Sequence, residues 1–181
     1  MKIKKFFKNQ KGFTIIEVAL VLAIGALIFL VVFLAVPALQ RNQRNDAKKR
    51  DVSNVVEAIA SYISNNPAKK ITDDLPGDRV VYRDGKVLNK GIGSYMSQLS
   101  LNTEKVVVEN IEGAGVRALT NKADKATIWV VSGAACGKPG DPYDSNTIHS
   151  VEGRKKAAVF MVLDMSKDSN KTPHHYCQNA S

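Results

Sequence analysis

No charged residue occurs between Val18 and Leu39, and the single carboxylate just before that run is Glu17. A helix needs about 20 consecutive apolar residues to cross a bilayer, so this run is long enough to span one. The apolar part of a secretory signal is shorter, about 7–15 residues. Gly25 and Pro37 are the weak points of the predicted helix. Proline lacks an amide donor and crowds the preceding turn, although membrane helices tolerate it better than soluble ones. A kink or a locally melted stretch is therefore expected near Pro37. Beyond Gln40 the pattern changes. Val52, Val55, Val56, Ile59, Tyr62 and Ile63 recur at helical spacing and form one stripe, with Arg41, Arg44, Lys48, Lys49, Glu57 and Ser61 mostly off it. Asn65-Asn66-Pro67 ends the pattern, because a residue before proline is pushed out of the helical region. The predicted helix runs from about Thr14 to Asn65, roughly 75–80 Å at 1.5 Å per residue. Its first half is apolar all round and its second half is striped, which reads as a membrane span followed by the spine of a domain.

The remaining chain, from about residue 67 to 181, reads as strands and loops. Val80-Val81-Tyr82 and Val87-Leu88 flank Asp84-Gly85, a hairpin turn signal. Tyr95, Met96 and Leu99 suggest a short helix after a Gly91-Ile92-Gly93 turn. Val106–Val108, Thr127–Val131 and Ala158–Leu163 are the strongest strand candidates, and residues 137–153 read as a loop. A helix followed by strands predicts an α+β fold, with the Val52–Ile63 stripe covering one face of an antiparallel sheet.

Charge then orients the chain. The net charge is +9, but Lys2, Lys4, Lys5, Lys8 and Lys11 crowd the first twelve residues, and without them it falls to +4. The basic balance is thus largely a topology signal that keeps the N-terminus in the cytoplasm and places residues after Leu39 outside. Arg41, Arg44, Lys48, Lys49 and Arg50 compete with that assignment, partly offset by Asp46 and Asp51. Cys136 and Cys177 then fall on the outer side, where a disulfide is the natural state. Such a bridge would clamp the ends of the long loop. It would close about 40 residues, worth roughly 4 kcal/mol on the chain-entropy account.

Gly12-Phe13-Thr14-Ile15-Ile16-Glu17-Val18 lies between the lysine-rich start and the apolar run. A charged residue within a membrane span costs about 2.5–3.5 kcal/mol at its centre, so Glu17 calls for a reason. This stretch resembles the N-terminus of type IV prepilins and their pseudopilin relatives: a basic leader ending in Gly, then Phe-Thr, two aliphatics, Glu and an apolar helix. Ala35-Val36-Pro37 followed by Gln40 is similar to that family's Pro-containing end of the membrane segment. The resemblance covers residues 1 to about 66 well and the rest only in general layout. It implies a leader over 1–12, a transmembrane and filament-core helix over 13–39, an amphipathic half over 40–66 and a globular head over 67–181. It further implies cleavage between Gly12 and Phe13, N-methylation of Phe13, and a role for Glu17 in assembly. Implied partners are a prepilin peptidase, an assembly ATPase, an inner-membrane platform and other pilin subunits, with no cofactor. The product is an extracellular filament serving adhesion, motility or DNA uptake. A pseudopilin of a type II secretion system and a DNA-binding minor pilin of a competence system share the same signature.

The DNA reading rests on Arg41, Arg44, Lys48, Lys49, Arg50, Arg154, Lys155 and Lys156 as phosphate contacts. Against it, the charge without the leader is modest and no aromatic residue is interleaved with the set. Asp141, Asp144 and Asn146 form an oxygen-rich loop without the spacing of an EF-hand. His174-His175-Tyr176-Cys177 lacks a conventionally spaced fourth ligand, so no metal is expected there. Gly91-Ile92-Gly93-Ser94 is too short for a phosphate cradle. No pairing of acidic residues and histidines suggests acid–base catalysis, so the chain reads as a structural protein and not an enzyme.

Overall fold

The structure, a computed structural model, describes residues 12–111, 115–119, 124–138, 146–152, 155–164 and 174–181. It is α+β: one long helix, α1 (Ile15–Asn65), precedes the strands. α1 is continuous through Pro37, and the melted stretch expected there is absent. The fixed φ of proline suits a helix, and the backbone bonds on either side hold the register. The chain divides into two compact units, one reaching to Gln40 and the other running from Arg41 to Ser181.

Nine strands follow α1 among the described residues: β1 (Val80–Arg83), β2 (Lys86–Val87), β3 (Lys105–Asn110), β4 (Val116–Ala118), β5 (Thr127–Ser132), β6 (Ala134–Cys136), β7 (Thr147–Ser150), β8 (Ala157–Val162) and β9 (His175–Ala180). β1 and β2 form the expected hairpin. Asp84 and Gly85 both take positive φ, 49° and 79°, which suits the right-handed twist of the flanking strands. The short helix is a 3-10 turn, Gly91–Tyr95, that contains the glycines instead of following them, while Met96 is already extended.

Six strands form the main sheet, ordered β2-β1-β3-β5-β8-β9. All its neighbours are antiparallel except β3 and β5, which are parallel. The fully antiparallel sheet expected from sequence is corrected at this pair. A parallel neighbour needs a crossover, and the chain makes one between Asn110 and Thr127 by way of β4, which belongs to a second sheet. That second sheet, ordered β4-β7-β6, corrects the loop read over residues 137–153 at Thr147–Ser150, its central strand, while residues 139–145 and 153 lie outside the described residues. Thr-Ile-His-Ser has one aliphatic residue in four positions. Its pairing comes from Arg117 and Ala135 far along the chain, so no local periodicity announced it.

The Arg41–Ser181 unit has three layers: the stripe of α1, the main sheet and the small sheet. Val52, Val55, Ile59 and Tyr62 pack with Val106, Val108, Ile128, Val130, Val159 and Met161. On the opposite face Val131, Ala158 and Phe160 pack with Ala134, Cys136 and Ile148 of the small sheet. Alternate residues of β8 therefore serve different cores, and all six positions are buried. A strand covered on both faces needs an unbroken apolar run, which Ala157–Val162 supplies. Cys136 at the end of β6 is disulfide-bonded to Cys177 inside β9, with 5.9 Å between their Cα atoms. The bridge thus fastens the small sheet to the edge of the large one.

Candidate assembly site

The start of α1 is built around Thr14 and Glu17. Thr14 lies immediately before the first helical residue and Glu17 falls three residues later. The Glu17 Oε2 accepts from the Thr14 amide at 2.8 Å and from the Thr14 hydroxyl at 2.8 Å. The Thr14 Oγ1 in turn accepts from the Glu17 amide at 3.3 Å. This reciprocal arrangement is a capping box, which satisfies amide donors that the first helical turn leaves unpaired. A carboxylate there also faces the positive end of the helix dipole. The sequence carries the box as Thr-x-x-Glu at Thr14 and Glu17, a role for Glu17 additional to its place as a membrane charge.

Phe13, 88% exposed, precedes the box, and Ile15 and Ile16 are also exposed. In the intact chain Phe13 is in peptide linkage to Gly12, so it has no free amine for Glu17 to meet. A cut between Gly12 and Phe13 would create that amine one residue before the cap. The N-terminal lysines, Lys2 to Lys11, lie outside the described residues. From Phe13 to Leu39 most large apolar side chains are exposed, which leaves one long apolar surface for lipid or for neighbouring helices.

Among the described residues, the basic residues proposed from sequence fall into two groups, one on α1 and one just before β8. Lys48 is 3% exposed and leaves the set of candidate phosphate contacts. Its ammonium donates to Asp164 Oδ1 at 2.8 Å and to the Val162 carbonyl at 3.3 Å. Arg44 donates through Nε to Asp164 Oδ2 at 2.8 Å. Asn45 completes the fastening, donating to the Asp164 carbonyl at 3.1 Å and accepting from its amide at 2.7 Å. Burial raises the Asp164 carboxyl pKa, but bonding to Lys48 and Arg44 outweighs it and holds the group below the usual carboxylate range. Lys49 lies 3.9 Å from Asp46 and 5.9 Å from the Tyr176 ring centre. Arg50 is exposed and Arg41 half-buried. Lys155 and Lys156 are exposed before β8, whereas the Asp164 cluster lies beyond its other end. A six-residue strand places them roughly 20 Å apart. Arg154, Asp141 and Asp144 lie outside the described residues. The Asn146 Oδ1 accepts from the His175 amide at 3.3 Å and lies 3.1 Å from its Nδ1. His175 is buried, its ring edge-on to Phe160.

The Asp164 cluster sets an expected acid response. Its folded pKa is depressed, so its contribution is full above the unfolded value and is lost as pH falls through the folded one. Asp164→Asn is expected to cost about 1–2 kcal/mol near neutrality, because charge-assisted bonds become neutral ones. The gap to wild type should shrink as pH drops below about 4. Urea denaturation of the full chain in detergent at pH 7 and below pH 4 measures both values.

Residues 7–33 match the family model described as the prokaryotic N-terminal methylation motif. No curated protein and no solved structure matches the chain. The motif match, the capped start of α1 and its long apolar surface agree: this chain carries the prokaryotic N-terminal methylation motif, the type IV pilin signature, at the head of a long apolar helix.

Proposed function

We propose that the chain is the structural subunit of a type IV pilus, stored in the membrane and assembled through its N-terminal helix. The observation that carries this reading is the capped Glu17 at the entrance to an uncharged, exposed helical run. Such a helix suits two environments. Lipid covers it in storage, and the apolar helices of neighbouring subunits replace lipid in the filament. The capping box lowers the cost of holding a carboxylate there by giving it donors. Before assembly the N-terminus is cytoplasmic and the Arg41–Ser181 unit lies outside. The Cys136–Cys177 bridge supports that side, because disulfides persist in oxidising compartments. A prepilin peptidase cuts after Gly12 and methylates Phe13, and an assembly platform with its ATPase lifts the mature subunit into the filament.

Mass spectrometry of the N-terminal peptide of sheared surface filaments tests this reading. The expected peptide begins at Phe13 with one added methyl group. Filaments that lack the chain, or that carry it with residues 1–12 intact, would overturn it.

A further inference from the structure

From Phe13 to Leu39 large exposed apolar side chains are the rule. Elsewhere among the described residues only Tyr95 and Leu101 are large, apolar and exposed. Both lie in the segment between β2 and β3, and Leu101 is the extreme case at 104% relative exposure. Isolated surface leucines are ordinary. The turn beneath this one is not, because a buried carboxylate holds it.

Asp51 of α1 is 3% exposed. Its Oδ1 accepts from the Ser100 amide at 3.0 Å, and its Oδ2 accepts from the hydroxyls of Ser100 at 2.5 Å and Thr103 at 2.7 Å. Ser100 closes the turn itself. Its Oγ accepts from the Asn102 amide at 3.3 Å and its carbonyl accepts from the Thr103 amide at 3.0 Å. Leu99 on one side is buried in the core, and Thr103 on the other is 3% exposed. Residues 99, 100 and 103 are thus tied down while the side chain between them stands wholly in solvent. Burying a carboxylate is costly unless donors surround it, and here those donors are the turn. Tips of tight turns favour Gly, Asn, Asp and Ser, which lose nothing in water. A leucine presented on a pre-ordered turn buries apolar area on contact, and its backbone has no further ordering cost.

We infer that Leu101 is an assembly knob that packs on the apolar N-terminal helix, residues 13–39, of a second copy of the chain. The inference rests on the filament reading above. Chemistry selects this partner. An apolar knob needs an apolar receiving surface, and the extensive one on this chain is the 13–39 stretch, which a filament covers with other copies. The contact pairs a rigid feature of the Arg41–Ser181 unit with a surface that lipid vacates on assembly, so it forms only between assembled subunits.

The experiment places a benzophenone side chain at position 101 of the full chain in cells that also express an affinity-tagged wild-type copy. Filaments are irradiated, sheared and mapped by mass spectrometry. A cross-link from position 101 to residues 13–39 of the tagged copy is expected. Cross-links to the tagged copy outside that stretch, or only to lipid, would overturn the inference. In parallel, Leu101→Asp should keep wild-type membrane level and an intact Cys136–Cys177 bridge, since the side chain touches no core. It should lower filament yield at least about tenfold, because the contact would then bury a carboxylate against apolar side chains without a partner. Leu101→Met should keep most of the yield. Wild-type yield from Leu101→Asp would overturn the inference while leaving the filament reading intact. A wild-type strain without filaments would remove that reading, and this inference with it.

Discussion

Glu17→Ala is expected to reduce the yield of sheared filaments at least about tenfold, with membrane level and leader cleavage near wild type. The proposed cleavage after Gly12 would create an ammonium on Phe13, a group whose ordinary pKa of about 7.7–8.0 leaves it largely cationic near neutrality. An ammonium and a carboxylate buried separately in an apolar filament core are each costly, and pairing offsets part of that cost. A Glu17 bonded to the Phe13 amine of an adjacent subunit would also reject misaligned neighbours, because a shifted subunit leaves both charges unpaired. The capping box adds a second role that must be separated from the first. Losing a cap costs about 0.5–2 kcal/mol of helix stability. Glutamine at this position of a capping box still reaches back to the cap residue, but it carries no charge. If charge pairing governs assembly, Glu17→Gln should fail as Glu17→Ala does. If capping alone matters, Glu17→Gln should assemble normally. The expectation is that both variants fail. Wild-type filament yield from Glu17→Ala, with the substitution confirmed in the filaments, would show that Glu17 has no assembly role.

Gly93→Ala is expected to destabilise the Arg41–Ser181 unit by about 3 kcal/mol or more, the range of severe core overpacking. A Cβ on Gly93 would lie 2.1 Å from the Leu88 carbonyl oxygen and 3.1 Å from that of Val81. Neither atom is free to yield. Val81 is a strand residue whose carbonyl accepts from the Leu88 amide at 2.9 Å, and the Leu88 carbonyl accepts from Lys90 at 2.7 Å. Moving them would break the hairpin bonds that close β1 against the following turn. Neighbouring Ile92 is fully buried, so the 3-10 turn cannot swing outward without emptying part of the core. Gly77 supplies the control. A Cβ there would meet nothing within 4 Å, so Gly77→Ala should be neutral. Thermal denaturation of the full chain in detergent should show the Gly93 variant melting roughly 10 °C lower. Equal melting of the two variants would contradict the packing described here.

Much of this architecture was legible in the chain. The apolar run and the stripe from Val52 to Ile63 marked one helix ending at Asn65, and the structure ends α1 there. The Asp84-Gly85 hairpin and the cores of β3, β5 and β8 were equally readable, because turn chemistry and aliphatic runs are local signals. The Thr-x-x-Glu box is equally a local signal, written in Thr14 and Glu17.

Tertiary structure decided the rest, for one reason: the deciding partner was far along the chain. The parallel pairing of β3 with β5, and the existence of β4, β6 and β7, depend on strands contributed by distant segments. From sequence Lys48 lies off the apolar stripe as a candidate phosphate contact, and Asp51 only offsets neighbouring charge. Asp164, more than a hundred positions on, buries the first, and the turn at Ser100–Thr103 buries the second. The sequence by itself determined the helix, the motif at its start and the presence of strands, since each is written in spacing and residue type over a few turns. Only the fold determined which charges are solvated and which leucine is left in water, since those depend on what other segments bring to them.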